Sequence, residues 1–169
     1  TPKPGWDYVN FYKVFKEKLG IPVAIDTDVN VAVYGEVCLG TAKALESAIY
    51  ITIGTGIGVG VYINGGLLHG LCHPEAGHIK LPRHPEDNYE GCCRFHKDCF
   101  EGMASGPALE KRWGKPGREL YDNPKVWELE AHYISEALFS YILTYAPQRI
   151  ILGGGVMHKP DLLHLVREN

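Results

Sequence analysis

The chain has 169 residues, and its 17 basic and 20 acidic side chains leave a net charge of −3 with histidine neutral. Apolar and charged fractions of 45% and 22% are those of one globular domain, which excludes a disordered tail, a collagen-like fibre and a small disulfide scaffold. A pI near 6.2 carries no polyanion-binding signature, so nucleic acid is not an expected partner, and no apolar run approaches the ~18 residues a membrane span needs. No basic segment with an apolar core opens the chain, so no secretory signal is expected.

The segment from Trp6 to Leu19 carries Trp6, Val9, Tyr12, Val14, Phe15 and Leu19 roughly on one helical face, with Gly20 as its stop. Ile21–Ile25 reads as a short buried strand ending at Asp26, and Asn30–Leu39 as an apolar helix closed by Gly40. Ser47–Ile53 and Val59–Ile63 read as strands, Asn64-Gly65-Gly66 as a hairpin turn, and Leu67–His69 as a third strand. Residues 70–101 then lose periodicity, and loops that long are usually functional or metal-organised. Ser105-Gly106-Pro107 signals an N-cap with proline in the first turn of a helix to Trp113. Pro124–Tyr145 reads as a long amphipathic helix, and Arg149–Leu152 as a buried strand running into Gly153-Gly154-Gly155. The order of elements predicts an α/β fold. The chain opens on Thr1, and a helical apolar pattern at Leu162, Leu163, Leu165 and Val166 stops after one or two turns, so a fragment is expected.

Three segments carry chemistry. Asp26-Thr27-Asp28-Val29-Asn30 stands between a strand and a helix, where ligands bind in α/β sheets and where a carboxylate can take a proton from a substrate hydroxyl. The competing reading makes Asp28 the N-cap of the following helix. Gly54-Thr55-Gly56-Ile57-Gly58 stands between two strands. Its amides and the Thr55 hydroxyl could meet phosphate oxygens, or it could be a glycine-rich hairpin only. Gly154 and Gly155 follow a strand and precede a helix, which suits a nucleotide or a tight turn equally.

The third segment is the most specific. Five cysteines is an odd number, and Cys92, Cys93 and Cys99 fall within eight positions beside histidines. Without an export signal this favours a metal over disulfides, and a cytoplasmic setting. Cys93, His96 and Cys99 at three-residue spacing, with His78 upstream, make a closed set suited to structural Zn²⁺. His69, His73 and His84 are alternative fourth ligands, and free thiols with surface histidines are the competing reading. Cys92 is expected to be a free thiol. Glu75 and Glu101 flank the loop, where paired carboxylates could hold sugar hydroxyls or simply face solvent.

Together the segments resemble the ROK family of repressors and sugar kinases, nearest its bacterial fructokinase branch, over nearly the whole chain. The resemblance rests on Asp26-Thr-Asp28-Val-Asn30 with Gly35-Glu36, and on Ile53-Gly54-Thr55-Gly56-Ile57-Gly58. It rests further on His73-Pro-Glu75-Ala-Gly-His78 with Cys93-x-x-His96-x-x-Cys99-x-Glu101-Gly, and on Ile150-Ile-Leu-Gly153-Gly154-Gly155-Val156. It implies a ribonuclease-H-like fold of the actin-like ATPase and hexokinase superfamily. It also implies ATP-dependent, Mg²⁺-assisted phosphorylation of a hexose, D-fructose to fructose 6-phosphate first among them. Asp28 would be the general base. Asn30, Glu75, His78 and Glu101 would lie by the sugar. Gly54, Thr55 and Gly56 would hold phosphate, with Gly154 and Gly155 near the adenosine. His78, Cys93, His96 and Cys99 would hold zinc, His78 serving both sites through its two ring nitrogens.

The family's kinases open on Asp-x-Gly-Gly-Thr-Lys, which this sequence lacks. Residues 1–169 are therefore expected to be most of a large domain, with the 70–101 sugar and zinc loop inserted and the small N-terminal domain and C-terminal helices absent. Such a chain is not expected to turn over ATP unaided. The Cys-x2-His-x2-Cys form favours kinases over the repressors' Cys-x-Cys-x4-Cys. The alternative is the sugar-sensing domain of a ROK-type repressor. Family members often form dimers.

Overall fold

A computed structural model describes Gly5 and residues 8–169. Helix α1 spans Phe11–Leu19, entered through an Asn10 side chain that accepts from the Lys13 amide at 3.0 Å and left through Gly20 in the left-handed region. The predicted start at Trp6 lies outside the described residues. The expected apolar face is present, but no residue of α1 is fully buried among the described residues, and Tyr12, Phe15 and Leu19 are exposed. Ile21–Ile25 is not a strand: it is irregular, with Ile21 and Ile25 exposed. An apolar run becomes a strand only where a sheet edge accepts it, and Pro22 offers no amide hydrogen to such an edge.

Helix α2 spans Asp28–Leu39. Strands β1 (Ser47–Ile53), β2 (Ile57–Ile63) and β3 (Gly66–Leu67), with β4 (Arg149–Gly153), form one sheet in the order β3-β2-β1-β4. β1 and β2 are antiparallel in register from Ser47 opposite Ile63 to Ile53 opposite Ile57. β1 and β4 are parallel, from Ala48 opposite Arg149 to Thr52 opposite Gly153. A parallel pair needs a long crossover, and the following helices supply it: α3 (Phe100–Ala104), α4 (Gly106–Trp113) and α5 (Pro124–Tyr145). Helix α6 (Leu162–Glu168) ends the chain and packs on α5.

Alternation along β1 divides the interior. Ile49, Ile51 and Ile53 join Trp127, Tyr133, Ile134 and Tyr141 of α5 on one face. Ala48 and Tyr50 face Val33 of α2 on the other. The architecture is thus a mixed sheet with helices on both faces. Because β1 and β4 are parallel, their carboxyl ends emerge side by side, and a Cβ built on Gly54 would lie 3.9 Å from the Gly155 amide nitrogen. Sequence and structure agree on β1, α5 and the hairpin turn. α3 was not anticipated, and β3 is shorter than expected.

Candidate active site and metal centre

The first turn of α2 is laid directly on β2. A Cβ on Gly60 would stand 2.2 Å from the Val29 carbonyl oxygen, so only glycine permits this backbone approach. Thr27, not Asp28, is the N-cap: its hydroxyl accepts from the Asn30 amide at 3.3 Å. Asp28 occupies the first helical position, exposed, with Oδ1 accepting from the Val29 amide at 2.9 Å and Oδ2 unpartnered among the described residues. Asn30 is buried and donates from Nδ2 to Asp26 Oδ1 at 2.8 Å. Burial opposes ionisation of Asp26, but hydrogen bonds from Asn30, the Thr27 amide and His69 outweigh it and hold the carboxyl below its ordinary value. Asp28, Asn30, Gly58, His73 and Glu75 line a cleft of about 180 Å³.

A larger cleft of about 540 Å³ adjoins the same hairpin at Gly54 and Thr55. Gly54, Thr55 and Gly155 line it. Thr55 is exposed, and the Thr55 and Gly56 amides have no partner among the described residues. Gly154 contributes geometry: its φ is +94°, and a Cβ there would stand 2.4 Å from the Ile53 carbonyl oxygen. The remaining wall was not anticipated. Gly106 and Pro107 bring the N-terminus of α4 to the cleft, and Arg118, Tyr121, Trp127 and His158 complete it. A helix N-terminus beside free amides favours anions. The signal for it was the Ser105-Gly-Pro motif, which was read only as a helix start.

Glu101 does not line either cleft. Its Oε2 accepts from the Ile57 amide at 3.0 Å and lies 2.7 Å from where a Gly56 Cβ would be. It braces the hairpin from behind.

In the loop, His78 Nδ1 lies 3.4 Å from Cys99 Sγ and 3.6 Å from Cys93 Sγ, and Cys93 Sγ lies 3.8 Å from His96 Nδ1. All four ligand atoms fall within 4.8 Å of one another. Nitrogen and sulfur ligands at tetrahedral angles on one zinc ion sit about 3.6 Å apart, given bonds of about 2.05 and 2.3 Å. The donor set therefore fits one such ion without rearrangement. Cys93 and Cys99 are buried, and burial pushes the Cys99 thiol up to about 11, so filling the site would release a proton. His69 and His73 are not part of this set; they meet Asp26 instead. His84 packs edge-on against His132 with ring centroids 4.9 Å apart. Cys92 stands outside the cluster, its sulfur 4.0 Å from Ser105 Oγ.

The ROK family profile matches residues 1–169. A Bacillus subtilis protein provisionally called a fructokinase is 54% identical over 98% of this chain and 56% of its own length. The fructokinase of Zymomonas mobilis is 45% identical over 99% of this chain and 56% of its own length. The ROK hexokinase of Thermus thermophilus has a TM-score of 0.79 at 32% identity, covering 92% of this chain and 59% of the other. The xylose repressor of Bacillus subtilis is more distant, at 30% identity over 99% of this chain and 47% of its own length. The chain thus spans about half the length of these curated relatives.

Proposed function

Because the chain belongs to the ROK family, we propose that it forms the base-bearing part of a sugar kinase that phosphorylates a hexose with ATP, fructose at its 6-hydroxyl first among them. The observation that carries this reading is the meeting of two clefts at one hairpin. Thr55 lines the larger cleft and Gly58 the smaller, and three residues of chain span at most about 10 Å. A phosphate held on one side can therefore come within reach of a hydroxyl held on the other.

Asp28 takes the proton from the attacking hydroxyl through its unpartnered Oδ2. Asn30 and Glu75 line the smaller cleft and hold other hydroxyls, and His78, just beyond that lining, reaches the sugar through Nε2 while Nδ1 faces the thiols. Glu101 braces the hairpin through Oε2, outside the cleft that would take the sugar. The Thr55 and Gly56 amides, with Gly54, receive phosphate oxygens, and the Gly154-Gly155 turn lies by the adenosine. Phosphoryl transfer asks chiefly for positioning and charge neutralisation. Mg²⁺ would arrive with the nucleotide, and no side chain of this chain is assigned to it. A Zn²⁺ ion on His78, Cys93, His96 and Cys99 would be structural, since four protein ligands leave no open position. Five unpaired thiols support a cytoplasmic setting.

The test is coupled ATP turnover by the intact protein against a panel of hexoses. Fructose is expected to be turned over. Asp28→Asn is expected to lower kcat by about 10²–10⁴-fold while fructose still binds calorimetrically. An undiminished rate removes Asp28 as the base. The similarity to a xylose repressor keeps a sugar-sensing module as the second reading. A folded, metal-loaded protein that binds a hexose without turnover would favour it.

A further inference from the structure

The loop brings together a second set of metal-ligand atoms that the zinc reading leaves unused. His69 Nε2 lies 2.8 Å from Asp26 Oδ2, and His73 Nδ1 lies 3.5 Å from Asp26 Oδ1. The three ligand atoms fall within 4.8 Å of one another. They come from separate segments: the irregular stretch before α2, and both sides of the Gly70-Leu71-Cys72 bend. We infer that Asp26, His69 and His73 form a second, open site for a borderline divalent ion such as Zn²⁺, Co²⁺ or Ni²⁺.

The spacings admit one ion among the three side chains. Ligands about 2.05 Å from one ion sit about 2.9 Å apart at a right angle and about 3.4 Å apart at the tetrahedral angle. The 2.8 Å between His69 Nε2 and Asp26 Oδ2 matches the first of these edges, and His73 Nδ1, 3.5 Å from the other carboxylate oxygen, completes a set whose three ligand atoms lie within 4.8 Å of one another. At 3.5 Å the His73–Asp26 approach is too long for a good hydrogen bond. The Asp26 carboxylate is also held in orientation by the Thr27 amide at 2.7 Å and by Asn30 Nδ2 at 2.8 Å, the support that ligating carboxylates receive. The two imidazoles pack edge-on, with ring centroids 5.2 Å apart, rather than stacked.

The chemistry differs from that of the Cys/His set. Two imidazoles and one carboxylate, with no thiolate, suit first-row divalent ions and leave positions for water. The histidine side chains are 46% and 44% exposed, so the open positions face solvent and an ion can enter. An ion there would tie the 69–73 bend to the segment two residues before Asp28. Because His73 also lines the smaller cleft, occupancy would fix one wall of it. The inference rests on these three side chains and not on the kinase reading.

Cobalt titration of the metal-stripped, reduced intact protein tests it. Native protein is expected to take two equivalents, one with the near-ultraviolet charge-transfer band of thiolate ligation and one without it. The double variant His69→Ala/His73→Ala is expected to keep the thiolate band and lose the other equivalent. Cys99→Ser is expected to lose the thiolate-type band and keep the other. Asp26→Asn is expected to weaken the second equivalent at least tenfold with the fold intact by circular dichroism. A single equivalent in native protein overturns the inference, as does a second one that survives removal of both histidines.

Discussion

Thr27 occupies the N-cap of α2, so the Asp28 carboxylate one position later is not consumed by capping. One hydroxyl thereby decides whether a carboxylate at the end of this segment is structural or free. Glu130 shows the opposite situation. It is fully buried on α5, with neither carboxylate oxygen hydrogen-bonded among the described residues. Burial pushes its carboxyl well above the ordinary range, and the Arg112 charge pulls only partly back. The folded chain therefore keeps a proton that the unfolded chain releases above about pH 4.5. Stability from this group is complete below that pH and falls as pH rises toward the folded value. Glu130→Gln removes the titration with little change of shape. In urea denaturation the variant should gain on the native chain as pH rises above about 4.5, by up to about 1.4 kcal/mol per pH unit. A difference that does not move with pH would refute a buried neutral carboxyl. This residue was legible in principle: it stands four positions from both Val126 and Ile134, on the buried stripe of α5. Its neighbours in a charged stretch concealed it.

At the scale of elements, the site depends on where α2 meets β2. Gly60 lies inside the predicted strand Val59–Ile63, and its work there is to admit the Val29 backbone. Gly60→Ala places a methyl against a carbonyl that belongs to a helix and cannot swing away. The expected cost is at the upper end of about 1–3 kcal/mol, with α2 displaced and Asp28 carried with it. On the proposed kinase reading, turnover of the intact protein should fall more than sugar binding does, because Asp28 moves relative to the hydroxyl. Wild-type stability and kcat in that variant would remove the close approach as a requirement. The glycine positions were visible in the sequence; the helix they accommodate was not, because period-2 and period-3.6 patterns report an element's own faces and not its neighbour. The same limit explains Ile21–Ile25, whose apolar run says nothing of whether an edge is offered. It also explains α3, where Phe100 and Met103 are buried but five residues are too few to show a period.

Across the whole molecule, the 70–101 loop was read as an insertion organised by its metal, and the packing ties it to the core far more closely. Ala76 and Phe100 belong to the main hydrophobic cluster with Trp127 and Tyr133. The Tyr141 hydroxyl of α5 donates to the Ala76 carbonyl at 2.7 Å, and the Tyr133 hydroxyl donates to Asp87 Oδ2 at 2.6 Å. Asp87 in turn pairs with Arg112 of α4 at 3.2 Å, with both side chains buried. Three points of the loop are thus fastened to helices that pack on the central strand. Metal at His78, Cys93, His96 and Cys99 should then stabilise the fold as a unit, because the loop cannot loosen without exposing Phe100 and unpairing Asp87. Chelation is expected to shift the entire unfolding transition downward, and amides of β1 and α5 should lose hydrogen-exchange protection together with those of the loop. Cys99→Ser should reproduce the shift without chelator, since a hydroxyl is a poor substitute for a soft thiolate. Loss of protection confined to residues 70–101, with β1 and α5 unchanged, would show instead that the loop opens alone and that its bonds to α5 hold the loop in place without carrying the stability of the core.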